Sequence, residues 1–386
     1  MNFKIQVHFI FTIFTIFTIF PFFTRQQSDF TQNGRSSRKT AGPWIMFRKL
    51  LTKFLIIWLT LTCVLAWYWP NFGLGFDPFI QPPIDCGIFE IKMAEIYIAV
   101  TMLMIGSLLP VEELRSVAKQ WPQVAGGTCA QYLSMPLLAF LASCIFGLKG
   151  EYFIGMMLVG CVPGAMASNM LTMIARGNVS YSVGLTTSAT LLSPFIVPMT
   201  LYLAIAILGT CFGCTGSADQ SYFNGQVVID MAKTLLLTVV LPVGLGFSLA
   251  RISKKWNRFA QNFGEITANL VIILIIACAV AGNRNNSFPM QMLAPMLLVN
   301  FGGYTAGFLA AKLMKLDMRK ARALMVEVGM QNAGLGVMLA EIYFKNQPEV
   351  ALCCAMYTFG CMFTGIILVQ LLRYLADRSE PQEALP

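Results

Sequence analysis

Apolar residues in this chain come in runs of about twenty, one after another, from residue 50 almost to the C-terminus. Coiled into a helix at about 1.5 Å per residue, a run of that length matches the hydrocarbon thickness of a bilayer. A chain written this way folds in lipid. Of its 386 residues, 56% are apolar and 12% charged, where an average soluble domain has roughly 45–50% and roughly 25%. Ten stretches read as spanning helices: 50–69, 92–110, 123–147, 152–175, 180–208, 226–250, 264–283, 290–312, 318–344 and 350–376. The segments between them, such as WPNFGLGFDPFIQPPIDCG and GTCFGCTGSADQSYFNG, are rich in turn residues and too short to fold alone. The fold class is therefore an all-α membrane protein.

The net charge of +9 would suggest nucleic acid in a soluble protein. Here the basic residues follow topology. Arg48, Lys49 and Lys53 lie around the start of the first stretch, and Arg115 and Lys119 follow the second. Arg176 follows the fourth, Arg251, Lys254, Lys255 and Arg258 the sixth, and Lys312, Lys315, Arg319, Lys320 and Arg322 lie around the end of the eighth and the start of the ninth. Arg373 and Arg378 close the tenth. The alternate connections hold only Lys92, Lys149, Arg284 and Lys345. Lysine and arginine are retained on the cytoplasmic side, so the expectation is a multi-pass protein of the cell (inner) membrane with both termini inside and no nucleic-acid partner.

Residues 1–45 stand apart. The run FIFTIFTIFTIF is low-complexity and β-branched, and is followed by polar sequence. It reads as an extension from a misassigned start, with Met46 opening the membrane domain as MFRKLLTKF, or else as a signal-like segment or an eleventh span. The expected organisation is this extension, a membrane domain over 46–376 and a cytoplasmic tail over 377–386. The only histidine, His8, falls in the extension. His-dependent hydrolase triads and HExxH zinc sites therefore lack their residue. Intramembrane proteolysis lacks paired aspartates at depth, so no enzyme is expected. Most cysteines sit in apolar runs as small hydrophobes; Cys86, Cys211 and Cys214 lie outside them, where a disulfide is one alternative.

Hydrocarbon tolerates broken helices only where protein or a cavity satisfies the freed backbone groups. The fourth stretch carries GCVPGAMASNM, with Pro163, Gly164, Ser168 and Asn169 near its middle. The ninth carries EVGMQNAGLG, with Glu327, Gly329, Gln331, Asn332 and Gly334 near its middle. Ten spans split into fives place the second five upside down relative to the first, so the two breaks occupy matching positions of an inverted repeat. Paired broken helices of that kind point to a midplane binding site. Glu327 is the one acid near the centre of a span. Glu95, Asp230, Glu265 and Glu341 fall in terminal turns, with Asp230 placed to pair with Lys233. A carboxylate at depth costs several kcal/mol unless paired. With no lysine or arginine at that level, its partner is a proton or a bound cation, and the neutral oxygens of Ser168, Asn169, Gln331 and Asn332 suit a hard monovalent ion such as sodium.

On these residues the sequence resembles the bile acid:sodium symporter family, including its bacterial members. ASNMLTMIARGNVSYSVGLTTSATLLSP at 167–194 and EVGMQN at 327–332 carry the likeness, which extends over 46–376. The resemblance implies two inverted five-helix repeats divided into panel and core subdomains, with broken helices 4 and 9 crossing in the core. It implies two sodium ions. One would be held by Ser168, Asn169, Ser182, Thr186 and Glu327, the other by Gln131, Glu327, Gln331 and the carbonyls of Val328 and Met330. Substrate would meet Met166, Asn169 and Asn332. Ala165 and Met166 depart from the PGGTASN of bacterial relatives, which bears on the substrate rather than on the ions. The implied activity is sodium-coupled import of an organic anion, bile-acid-like or a smaller carboxylate, by alternating access. An efflux carrier of the same fold, arsenite-type or proton-coupled, and a ligand-binding membrane sensor are the alternatives.

Overall fold

A computed structural model describes residues 55–72, 77–79, 84–85, 90–91, 93–112, 115, 119–209, 213, 224–284 and 290–379. The extension 1–45, Met46, Cys86, Cys211, Cys214 and residues 380–386 of the tail lie outside the described residues. Helix α1 is Leu55–Tyr68, α2 Met93–Leu108, α3 Trp121–Ile145, α4 Glu151–Cys161, α5 Ala167–Ile174 and α6 Val179–Tyr202. They are followed by α7 Gly225–Leu235, α8 Leu241–Ile252, α9 Lys254–Gly282, α10 Leu293–Leu313, α11 Met318–Gly329, α12 Ala333–Tyr343 and α13 Pro348–Ser379. Among the described residues six segments are long and apolar enough to cross a membrane: Trp121–Ile145, Val179–Ala206, Gly225–Ile252, Lys254–Gly282, Met290–Leu313 and Pro348–Arg378.

The breaks fall where the sequence interrupts itself. The fourth stretch divides into α4 and α5 around Val162–Met166, and the ninth into α11 and α12 around Met330–Asn332. Other boundaries differ from expectation. The seventh stretch, expected over 264–283, begins ten residues earlier at Lys254, because the polar sequence KKWNRFAQNF is a good helix that a hydropathy window overlooks. The Ser253 side chain caps it, accepting from the Trp256 N–H at 3.2 Å. The sixth stretch is not one uniform helix: a π-helical turn, Leu236–Val240, joins α7 to α8 just before Pro242, where a regular ladder cannot continue. The fifth ends in a π-helical segment, Leu203–Gly209. In the connection after α1, Ile84–Asp85 and Glu90–Ile91 pair as two-residue antiparallel strands, a small β element among the helices.

Helices α2, α8 and α9 pack on one another and α1 packs on α9; α3 packs on α4 and α10, α10 on α11, and α13 on α4 and α12. Small residues permit the closest approach. A Cβ on Gly106 of α2 would lie 2.1 Å from the Val243 carbonyl oxygen, and one on Gly246 of α8 would lie 2.0 Å from that of Leu103. Each backbone thus presses on the other at a position that only glycine fits. Large apolar side chains such as Met135, Phe153, Met156, Leu158 and Leu185 are fully buried around the breaks.

Residues that the charge pattern assigns to one face meet in space. Arg176 pairs with Asp377 at 2.6 Å, Arg322 donates to the Arg176 carbonyl at 3.2 Å, and Lys320 reaches the Gln123 side chain at 2.7 Å. Elsewhere Arg284 pairs with Asp77 and donates to the Ala66 carbonyl, and the Asn283 amide donates to the Pro348 carbonyl at 2.9 Å. The expected Asp230–Lys233 pair forms at 3.3 Å.

Candidate functional site

The two unwound segments lie against each other. Gly164 and Gln331 form an isolated antiparallel bridge, the Ala165 N–H donates to the Met330 carbonyl at 2.9 Å, and the Asn332 N–H donates to that of Pro163 at 2.7 Å. Backbone groups released by each break are therefore satisfied by the other, which is what lets irregular chain persist inside an apolar bundle. Four helix ends converge here: the C-termini of α4 and α11 and the N-termini of α5 and α12.

Glu327 sits in the last turn of α11 and is completely buried. Three hydroxyls donate to its carboxylate: Ser168 of α5 and Ser182 of α6 to Oε2, the latter at 3.3 Å, and Thr186 of α6 to Oε1 at 2.7 Å. Ser182 and Thr186 are four residues apart, so both face the same way along α6. Thr186 also lies 3.1 Å from the Ser182 carbonyl, but the shorter contact is to Glu327. Among the described residues no lysine or arginine pairs with this carboxylate. Gly164 makes room for it: a Cβ there would stand 2.2 Å from Glu327 Oε1 and 3.2 Å from Gln131 Nε2.

A second polar group adjoins the first. Gln131 of α3, 1% exposed, points its Nε2 at Gln331 Oε1, 3.4 Å away. Its own Oε1 is buried with no hydrogen-bond partner. Gln331 Nε2 donates to the Val328 carbonyl at 3.0 Å. Val328, Met330, Gln131 and Gln331 are thus on one side of the crossing, all buried. A carbonyl oxygen has two lone pairs, so the Val328 and Met330 carbonyls each keep one beyond the bond they make.

Met166, Asn169 and Asn332 are more exposed than these neighbours. Asn169 donates to the Met166 thioether sulfur at 3.9 Å and accepts from Thr186 at 3.5 Å. Asn332 caps α12, its Oδ1 accepting from the Leu335 N–H at 3.2 Å. Sequence reasoning missed Thr172, one helical turn beyond Ser168 and 3.3 Å from Ser182. It also missed a buried cluster of Asn300, Tyr304, Tyr357 and Thr364 behind Gly329. A lone threonine or asparagine in an apolar span carries no pattern that marks it.

In chemical terms the crossing gathers one carboxylate, neutral hydroxyl, amide and carbonyl oxygens, and no basic group among the described residues. No group of three or more His, Cys, Asp or Glu side chains suited to a transition metal occurs among them either. Such a donor set favours a hard cation over zinc or copper.

Comparison with known proteins agrees with this chemistry. The model of the sodium bile acid symporter family matches residues 95–288. The chain is 30% identical over 314 residues to the uncharacterized sodium-dependent transporter YocS of Bacillus subtilis (strain 168), covering 81% of this chain and 88% of that one. It is 28% identical over 360 residues to the probable sodium/metabolite cotransporter BASS1, chloroplastic, of Arabidopsis thaliana, covering 90% and 79%. With the ileal sodium/bile acid cotransporter of Homo sapiens it shares 28% identity over 262 residues, covering 66% and 70%.

Proposed function

Because this chain belongs to the sodium bile acid symporter family, we propose that it imports an organic anion, bile-acid-like or a smaller carboxylate, together with two sodium ions. Membership makes it a sodium-dependent transporter of a membrane and not an enzyme. The observation that carries the finer reading is Glu327: fully buried, joined by hydroxyls from two other helices, and placed where two broken helices cross.

A hydroxyl has lone pairs as well as its proton. Ser168, Ser182 and Thr186 can each donate to Glu327 and offer a lone pair to a cation beside it, with Asn169 Oδ1 completing the first site. Gln131 Oε1, Gln331, the Val328 and Met330 carbonyls and Glu327 form the second. The unpartnered Gln131 oxygen supports this assignment, because a buried acceptor without a donor costs about 1–3 kcal/mol and a cation removes that cost. Met166, Asn169 and Asn332, at the first turns of α5 and α12, form the anion side, since the N-terminal ends of half-helices carry partial positive charge.

The ten spans form two inverted five-helix repeats, with both termini in the cytoplasm. Alternating access moves the broken-helix core against the panel of α1, α2, α7, α8 and α9. Two sodium ions beside one carboxylate leave a positive excess in a low-dielectric site, which a bound monoanion offsets. Sodium and anion therefore tighten each other by the same factor. A thermal-stability screen of the purified protein against organic anions tests this: a hit should stabilise in sodium and not in potassium. Equal stabilisation in both salts would overturn the coupling. Ser182→Ala and Thr186→Ala each remove one neutral ligand. Each should raise the sodium concentration for half-maximal effect about fivefold, in keeping with about 1 kcal/mol per neutral contact, and sodium titration of the same assay reads it.

A further inference from the structure

The crossing is held from behind by side chains that take no part in the ion sites described above. Helix α11 ends at Gly329, and the last carbonyls of any helix lack partners within it. Around this end the carbonyl of Glu327 accepts from the Met330 N–H at 3.3 Å and that of Met330 from Ala165 at 2.9 Å, while that of Val328 accepts from Gln331 at 3.0 Å. The Gly329 carbonyl turns away from all of these. It accepts from Asn300 Nδ2 of α10 at 2.8 Å and from the Tyr357 hydroxyl of α13 at 3.1 Å. The Thr364 hydroxyl donates to Asn300 Oδ1, which fixes the amide with its nitrogen toward Gly329. Tyr304 lies 3.3 Å from the Asn300 amide and 3.1 Å from Thr364, and its ring occupies the space that a Cβ on Gly329 would need. All four side chains are at most 4% exposed.

We propose that Asn300 is a positioning residue for sodium: by holding the Gly329 carbonyl together with Tyr357, it fixes the peptide plane that lies between the Val328 and Met330 carbonyls and so sets the affinity of the second ion site. This rests on the sodium reading of the crossing. The physical logic is that Gly329 and the extended Met330 are the flexible joint between two half-helices. If the Gly329 carbonyl is released, the joint can rotate, and the two flanking carbonyls no longer converge with Gln131 and Gln331. Positioning errors of this kind weaken a preorganised site without emptying it of ligands.

The test is a sodium chloride titration of the thermal stability of the full-length purified protein, with potassium chloride replacing sodium at constant total salt. Asn300→Leu, Tyr357→Phe and Thr364→Val are compared with wild type and with Glu327→Gln. Tyr357→Phe keeps the ring and removes one of two donors, so its half-maximal sodium concentration should rise about fivefold, with its melting temperature in potassium close to that of wild type. Asn300→Leu should raise it more than about tenfold, and Thr364→Val, which frees the Asn300 amide to turn and removes the Tyr304 contact but leaves the amide donor in place, should fall between wild type and Asn300→Leu. A purely structural role would lower the melting temperature in potassium and leave the sodium midpoint alone; that result in Tyr357→Phe and Thr364→Val overturns the inference even if Asn300→Leu does not fold. If wild type itself shows no sodium-specific stabilisation, the ion reading fails and the inference with it. A wild-type response that is lost in Glu327→Gln but unchanged in the other variants overturns the inference alone.

Discussion

Glu327→Gln should abolish sodium-specific stabilisation of the purified protein and sodium-dependent uptake, while the protein still inserts and folds. The substitution preserves the shape and removes the charge. Its carboxylate accepts from Ser168, Ser182 and Thr186, and a glutamine retains one acceptor oxygen for these donors, so the local packing survives. What is lost is the only anionic ligand of either proposed ion site. Removing one partner from a buried charge pair costs about 3–5 kcal/mol, a loss in sodium affinity of more than about a hundredfold. The folded state should not suffer equally, because a fully buried carboxylate is itself a burden on stability when no cation accompanies it. In potassium, Glu327→Gln should melt at or above the wild-type temperature. A variant that retains the wild-type sodium midpoint would remove Glu327 from the mechanism.

Gly164→Ala should have nearly as large an effect, although it changes no ligand. The new Cβ would stand 2.2 Å from Glu327 Oε1 and 3.0 Å from its Cδ, inside van der Waals contact, so one group has to move. The backbone at Gly164 is pinned to Gln331 by the antiparallel bridge and at Ala165 to Met330. The carboxylate therefore moves, and with it the Oε1 that accepts from Thr186. Overpacking of this kind costs about 1–3 kcal/mol, and here it falls on the geometry of both proposed ion sites at once. Sodium affinity should drop by at least about tenfold. Gly244→Ala, where the added methyl group meets no atom within 4 Å, serves as the control and should titrate as wild type. An unchanged sodium midpoint in Gly164→Ala would show that the carboxylate has slack that the ion sites do not need.

The breaks in α4–α5 and α11–α12 were legible because Pro163, Gly164 and Asn332 interrupt apolar runs, and hydrocarbon makes such interruptions costly. Glu327 was legible for the same reason, as a charge where none is tolerated. Among its hydroxyl partners Ser168 was legible beside the first break, whereas Ser182 and Thr186 came from motif resemblance, and the structure brings all three onto one carboxylate. Hydropathy also hid the start of α9, since the polar run from Lys254 is helical without being apolar, and the π-helical turn before Pro242. The cluster on Gly329 stayed invisible because Asn300, Tyr357 and Thr364 are single polar residues on two helices, far apart in sequence, and only packing makes them one unit.

Sodium bound beside Glu327 is proposed to drive an anion inward, and uptake of a monoanion into proteoliposomes under imposed gradients reads that coupling directly. The probe is the monoanion that gives the largest sodium-specific stabilisation. With two sodium ions and one monoanion moving together, each cycle carries one net positive charge. Uptake should require external sodium, should accelerate when the interior is made negative, gaining roughly 2.3 kcal/mol per charge per 100 mV, and should vanish in Glu327→Gln. Uptake that runs equally well on a proton gradient in the absence of sodium, or that persists in Glu327→Gln, would contradict the account.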